Sequence, residues 1–133
     1  MKVMDIEGVG AAHAAKLAKA GIRSVEGLLK EGASARGRKI IGEASKIDPT
    51  LILAWVNRAD LYRVKGVGRQ YSDLLEKAGV DTVVELSRRA AGSLYKKMLE
   101  VNQAKNLVNS MPGLKQVEDW VNQAKKLPRV VTY

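Results

Sequence analysis

Two short glycine motifs are the residues in this chain best suited to chemistry. Gly8-Val9-Gly10 and Gly66-Val67-Gly68 have the same sequence, and each precedes a segment with helical spacing of apolar residues. Glycine accepts positive φ and has no Cβ, so the backbone of such a turn approaches another surface closely. The N–H groups of the turn and of the following helix then point outwards and suit a phosphate oxygen. The two motifs therefore predict anion-binding turns.

Charged residues distinguish the two motifs. Asp5 and Glu7 flank the first motif, so an anion that approaches it passes two carboxylates. Three cations surround the second motif, which is therefore the predicted phosphate site. The predicted nucleic-acid-binding residues are Arg63, Lys65, Gly66, Val67, Gly68, Arg69 and Gln70. The first motif is a second candidate site, and we expect its role to be mainly structural.

The motifs belong to a longer internal repeat. At an offset of 58 residues, Ala-Gly-Ile at 20–22 matches Ala-Gly-Val at 78–80. Trp-Val-Asn at 55–57 recurs at 120–122, with the larger offset of 65 residues. The difference corresponds to about two helical turns inserted in the second repeat. We divide the chain into a first repeat at residues 5–62, a second at 63–127, and a C-terminal tail at 128–133.

Helical spacing dominates the chain and predicts an all-α fold. Candidate caps mark where helices begin, and they are Ser24, Ser34, Asp48 before Pro49, Thr82 and Ser93. A unit of about 60 residues buries only ~60% of its unfolded surface, so we expect the repeats to share a core. In the tail, residues 129–133 favour extended structure and are expected to lie along residues 1–4.

Several residues have both a structural and a binding interpretation. Tryptophans stack on bases in some proteins, but Trp55 and Trp120 lie in apolar stripes and are expected in the core, as are Ile40 and Ile41. Three cations, Arg36, Arg38 and Lys39, lie close together at the predicted start of one helix. Positive charge is unfavourable at this end of the helix dipole unless an anion binds there. Such clusters are, however, more often simply solvated.

Composition limits the remaining possibilities. The 133 residues carry a net charge of +9, which suits a polyanionic partner. The chain has no Cys and one His, so we expect no disulfide, no metal site and no cofactor. No stretch approaches the ~20 apolar residues of a membrane span, so we expect a cytoplasmic protein without membrane contact.

Both motifs, each with the following helix and Ala-Gly-Ile/Val, resemble helix-hairpin-helix motifs. Similar modules occur in DNA repair and recombination proteins, in ligases, and in the C-terminal domain of the RNA polymerase α subunit. The resemblance implies two tandem, SAM-like repeats that bind DNA backbone independently of sequence. The whole chain, including Trp-Val-Asn and its ending at residues 125–133, is also similar to a prokaryotic family described only as a domain of unknown function.

The function we expect is a non-catalytic module that contacts DNA or RNA phosphates. Helix-hairpin-helix glycosylases place a Lys or Asp in a pocket of a larger fold, and this chain is too short to enclose one. It also lacks a phosphate-binding Gly-x-x-x-x-Gly-Lys-Ser/Thr loop. The alternative is an adaptor that keeps the fold and binds a protein partner or forms a homodimer.

Overall fold

The computed structural model of the protein describes all 133 residues and is all-helical, as the sequence predicts. A short 3-10 helix at Val3–Asp5 precedes eight α-helices and there is no strand. The helices are α1 Gly10–Lys19, α2 Val25–Glu31, α3 Ala35–Ser45, α4 Pro49–Leu61, α5 Arg69–Lys77, α6 Val83–Ser87, α7 Ala91–Lys105 and α8 Leu114–Lys126. None of these helices combines the length and the apolar character that crossing a membrane requires.

Side-chain caps fix the start of four helices at the predicted residues. The hydroxyls of Ser24, Ser34 and Thr82 each accept a hydrogen bond from the N–H three residues further on, at 2.9, 3.0 and 3.3 Å. At the start of α4, Asp48 Oδ1 accepts from the Thr50 N–H at 2.8 Å. Each such bond satisfies one of the N–H groups that a helix start leaves unpaired.

Helix α7 does not begin where its sequence predicts. Ser93 was the predicted cap, but the helix starts at Ala91, and Ser93 is an exposed residue within its first turn. Ala90 is the N-cap residue and provides no side-chain hydrogen bond. Ala91 packs against the buried apolar cluster of this part of the chain. This contact explains why the helix begins two residues before Ser93.

The chain divides into two compact units. The first contains Met1–Asp60 together with Arg129–Tyr133, and the second contains Leu61–Pro128. Buried apolar residues of the second unit form one cluster, which includes Trp120 with 0% of its surface exposed. Trp55, in the first unit, is 3% exposed. The prediction that both tryptophans are core residues is confirmed, whereas a core shared between the repeats stays a prediction.

Two predictions within the first unit are wrong. Ile41 is buried as expected, but its neighbour Ile40 is 56% exposed, since consecutive helical residues point about 100° apart. The tail does not lie along residues 1–4. Instead, the Thr132 N–H donates to the Ala33 carbonyl at 2.8 Å. The N-terminal residues pair elsewhere, and the Val3 N–H donates to the Arg23 carbonyl.

Arg38 anchors this tail and is not part of a solvated basic cluster. Its guanidinium is buried and donates to the carbonyls of Gly32 and Ala33 at 2.9 and 3.0 Å, and to that of Thr132 at 2.7 Å. Gly32 follows the last turn of α2, so the positive charge lies where the helix dipole favours it. Arg36 and Lys39 remain exposed. The dipole of α2, rather than an external anion, accounts for Arg38.

Candidate nucleic-acid interface

Both glycine motifs form tight turns immediately before a helix. In the first turn (residues 8–10) the Val9 N–H donates to the Ile6 carbonyl at 3.1 Å, and in the second turn (residues 66–68) the Val67 N–H donates to the Val64 carbonyl at 3.1 Å. The first glycine of each turn has positive φ, which is +88° at residue 8 and +95° at residue 66. Residues with a Cβ adopt this conformation only at an energetic cost, so the turns need glycine here.

The backbone hydrogen bonds after the turns also recur at the same offset. The Ile22 N–H donates to the Leu17 carbonyl, and the Val80 N–H donates to the Leu75 carbonyl, both at 2.9 Å. Gly21 and Gly79, which precede these donors, have φ of +83° and +96°. The duplicated sequence therefore produces matching local geometry at the end of α1 and at the end of α5.

The two turns differ at their second glycine. Gly10 has φ of +66° and is the first residue of α1. Gly68 is the extended N-cap residue of α5, with φ of −98° and ψ of −166°, which other residues also adopt. No atom lies within 4 Å of the position that a Cβ on Gly68 would take. The backbone conformation at residue 68 therefore does not require glycine. Close approach of another molecule to this turn would require it, because glycine has no Cβ.

The second turn presents unpaired donors to solvent. Gly66, Gly68 and Gln70 are exposed, and their N–H groups have no hydrogen-bond acceptor within the protein. No side chain caps α5, which is nine residues long. Because unpaired N–H groups and the helix dipole both favour negative charge, this end of α5 has the polarity that an anion requires.

The side chains around the second turn have different roles. Lys65 and Arg69 are exposed, as a phosphate contact requires. Val67 is buried, with only 5% of its surface exposed, so its side chain supports the turn from within. Arg63 is half-buried, and its Nη2 donates to the Pro128 carbonyl at 2.9 Å. The structure thus places Lys65, Arg69 and the backbone of the turn at the surface, whereas Arg63 also makes a structural hydrogen bond.

Helix α8 supports the second turn through residues that the sequence analysis did not identify. Gln123 makes two hydrogen bonds to the backbone of Lys65, one at 2.8 Å and one at 3.0 Å. Its Nε2 also donates to Asp119 Oδ2 at 2.8 Å. Trp120 lies beneath Gly66, and a Cβ on this glycine would come within 2.9 Å of the indole Nε1. The internal repeat gives no signal for Gln123, because the first repeat has Arg58 at the corresponding position.

The first turn has a comparable support but different chemistry at its surface. His13 Nδ1 lies 3.0 Å from the Val9 carbonyl, which can only accept, so Nδ1 carries the hydrogen. The His13 ring packs on Trp55 with centroids 5.0 Å apart, and Tyr71 packs on Trp120 at 5.3 Å in the second unit. Alanines 11 and 12 follow the turn where Arg69 and Gln70 follow the second. The first turn therefore lacks the cation that Arg69 provides immediately after the second turn.

Comparison with known proteins places the chain in one family. No curated protein and no solved structure matches it. The family model described as Domain of unknown function (DUF4332) matches residues 7–127. Because this match covers most of the chain, the protein belongs to that family of unknown function.

Proposed function

We propose that the protein is a non-catalytic module that binds the phosphate backbone of DNA or RNA without sequence specificity, chiefly through the second turn. One observation carries this proposal, namely an exposed glycine turn that leads into an uncapped helix between two exposed cations, Lys65 and Arg69. Backbone amides and cations contact phosphate oxygens, which are the same at every base pair. Such contacts position a protein on nucleic acid but read no sequence.

We also propose that each turn, with its flanking helices, is a helix-hairpin-helix motif. Three features support this proposal: the positive φ of Gly8 and Gly66, the recurring backbone hydrogen bonds, and a helix at the end of each turn. The two motifs are unequal in our proposal. Exposed Glu7 and half-buried Asp5 repel an anion from the first turn, so the second turn makes most of the phosphate contacts.

Binding through one basic turn is expected to be weak and sensitive to salt. Non-specific binding at physiological salt has Kd of about 10⁻⁴–10⁻⁶ M. On duplex DNA, each phosphate neutralised contributes a slope of about −0.9 to the plot of log K against log salt. Lys65 and Arg69 together therefore predict a slope of roughly −2.

A fluorescence anisotropy titration tests the proposal. The full chain is titrated against labelled duplex DNA, single-stranded DNA and RNA of equal length and several sequences, at several salt concentrations. We expect binding that is independent of sequence and that weakens with salt. The charge-reversal variant K65E/R69E should reduce the affinity strongly and make the salt slope less negative by about 2.

The matched control is K96E/K97E, which makes the same charge change on exposed residues of α7 in the same unit. Equal losses in the two variants would show that binding depends on overall charge and not on the second turn. Absence of binding to all three probes at low salt would overturn the proposal. The adaptor function, tested by a self-association measurement and by partner capture, would then take its place.

A further inference from the structure

Gln123 fixes the backbone immediately before the second turn. Its Oε1 accepts from the Lys65 N–H at 2.8 Å, and its Nε2 donates to the Lys65 carbonyl at 3.0 Å. The two bonds hold the peptide planes on both sides of Lys65. The second of these planes includes the N–H of Gly66. This glycine is the first residue of the turn and has φ of +95°. The direction of the unpaired amides therefore depends on a side chain 58 residues away.

Asp119 fixes the orientation of the Gln123 amide. Its Oδ2 accepts from Gln123 Nε2 at 2.8 Å, from one helical turn earlier on α8. An ionised carboxylate only accepts, and the Lys65 N–H only donates. Each partner therefore requires the same orientation of the amide, with Nε2 towards Asp119 and Oε1 towards the N–H. This arrangement leaves Gln123 a single hydrogen-bonded orientation.

Asp119 also places a negative charge near the turn that we propose binds phosphate. Only the Gln123 amide separates this carboxylate from the backbone of Lys65. Its two effects on anion binding have opposite signs, because the hydrogen bond orders the turn whereas the charge repels the anion. Asparagine retains a carbonyl acceptor at this position and removes the charge, so the substitution Asp119→Asn separates the two effects.

We infer that Gln123 is a positioning residue for phosphate binding, which preorganises the second turn without touching the ligand, and that the charge of Asp119 weakens this binding. The inference rests on the proposed function. It is specific to the second turn, because Arg58 and Ala54 occupy the corresponding positions of the first repeat. An unordered turn must lose conformational freedom when it binds, which reduces the affinity.

Labelled duplex DNA at low salt is the probe that tests the inference. We expect Q123A to bind about tenfold more weakly than wild type, because two ordering hydrogen bonds are lost. The salt slope should not change, since every cation that faces the phosphates remains. In the ¹⁵N NMR spectrum the amide signals of Gly66 and Gly68 should shift, whereas thermal unfolding should stay cooperative. Q103A is the matched control, since Gln103 is exposed on α7 of the same unit.

The charge of Asp119 is tested with a second pair of variants. D119N and E118Q each remove one negative charge from adjacent positions of α8, and Glu118 is exposed. We expect D119N to increase the affinity about two- to threefold more than E118Q, because its charge lies closer to the turn. This comparison tests the effect of the Asp119 charge even if Q123A does not fold.

The outcomes separate the inference from the proposed function. If the wild-type protein binds DNA and Q123A binds equally well, or D119N matches E118Q, the inference is wrong and the proposed function stands. A less negative salt slope in Q123A than in the wild type would mean that phosphate contacts themselves are lost. That result would also contradict a positioning role. If the wild-type protein fails to bind at low salt, the proposed function fails and the inference fails with it.

Discussion

The indole Nε1 of Trp120 lies 2.9 Å from the position that a Cβ on Gly66 would occupy. The corresponding pair of the first unit is less close, since Trp55 Nε1 lies 3.8 Å from a Cβ on Gly8. Distances below about 3.0 Å force atoms to move, whereas 3.8 Å is an ordinary van der Waals contact. The two turns thus share a left-handed glycine, but only the second packs tightly against its tryptophan.

Substitution of these glycines should therefore have unequal effects on stability. Gly66→Ala and Gly8→Ala both place a Cβ at positive φ, which costs about 1–2 kcal/mol. Only Gly66→Ala also forces the buried Trp120 to move, which we expect to add roughly 1–3 kcal/mol, as overpacking does. Urea denaturation followed by tryptophan fluorescence measures both losses. Equal losses would show that the indole moves aside without cost.

A second pair of glycines separates stability from binding. Gly68→Ala should be neutral or stabilise by about 0.4–1 kcal/mol, because its extended backbone and open surroundings accept alanine. The same Cβ would add bulk at the exposed turn, where a phosphate must approach the unpaired amides closely. We expect DNA affinity to fall about tenfold, as when one hydrogen bond to a charged group is lost.

Gly10→Ala is the control for this prediction, because residue 10 has positive φ and belongs to the turn that we propose binds weakly or not at all. It should destabilise the protein by about 1–2 kcal/mol and leave the affinity of the folded protein unchanged. The reverse pattern, in which Gly10→Ala weakens DNA binding and Gly68→Ala does not, would assign phosphate binding to the first turn.

The sequence predicts the capped starts of four of the eight α-helices because capping is a local property. A hydroxyl or carboxylate two or three residues before an unpaired N–H accepts a hydrogen bond from it without help from the rest of the fold, as at Ser34 and Asp48. Ser93 had the same sequence signal, but packing of Ala91 decided the start of α7. Non-local packing overrides a local preference, and one sequence does not reveal it.

Helix α7 therefore offers a stabilising substitution. Ala90, its N-cap residue, has the extended conformation that capping side chains need, with φ of −78° and ψ of 122°. Ala90→Asp should stabilise the protein by about 0.5–1 kcal/mol through a new hydrogen bond and the helix dipole. Ser93→Ala should be nearly neutral, whereas Ser34→Ala should cost about 1 kcal/mol. Thermal unfolding of the three variants checks these values, and a large loss in Ser93→Ala would restore Ser93 as the cap.

Arg38 should contribute more to stability than any exposed arginine. Arg38→Ala leaves the buried carbonyl of Gly32 without its donor and removes one donor each from the carbonyls of Ala33 and Thr132, and we expect a loss of about 3 kcal/mol. Arg36→Ala, on the exposed side of the same helix, should change stability by less than about 0.5 kcal/mol. Denaturant titration of both variants makes the comparison, and equal effects would contradict a structural role.

The tail provides an independent check of Arg38. Removal of residues 129–133 deletes Thr132, whose carbonyl accepts from Arg38, so the two changes share one interaction. The loss in the double variant should be smaller than the sum of the single losses, as for residues in one hydrogen-bond network. Strict additivity would mean that Arg38 and the tail stabilise the protein separately.

The candidate site shows the same division between local and non-local information. The glycine motifs and the charges next to them are contiguous in sequence, so the turn and its exposed cations, Lys65 and Arg69, could be predicted. The supports of the turn could not, because Gln123 is distant in sequence and its counterpart in the first repeat is arginine. The sequence also predicts Arg63 as a phosphate ligand. Its hydrogen bond to the Pro128 carbonyl could not be predicted, because Pro128 is 65 residues away in sequence.

Transfer of the two exposed cations to the first turn should create a second phosphate contact. The variant E7K/A11R places Lys and Arg where the second repeat has Lys65 and Arg69. Helix α1 also begins without a side-chain cap, so its N–H groups should assist the new cations. We expect tighter binding to duplex DNA and a salt slope that is more negative by about 1–2. The control E43K/A44R makes the same charge change on exposed residues in the last turn of α3, outside the glycine turns, and should increase the affinity less. Equal gains in the two variants would mean that charge alone governs binding and that the glycine turns have no special role in it.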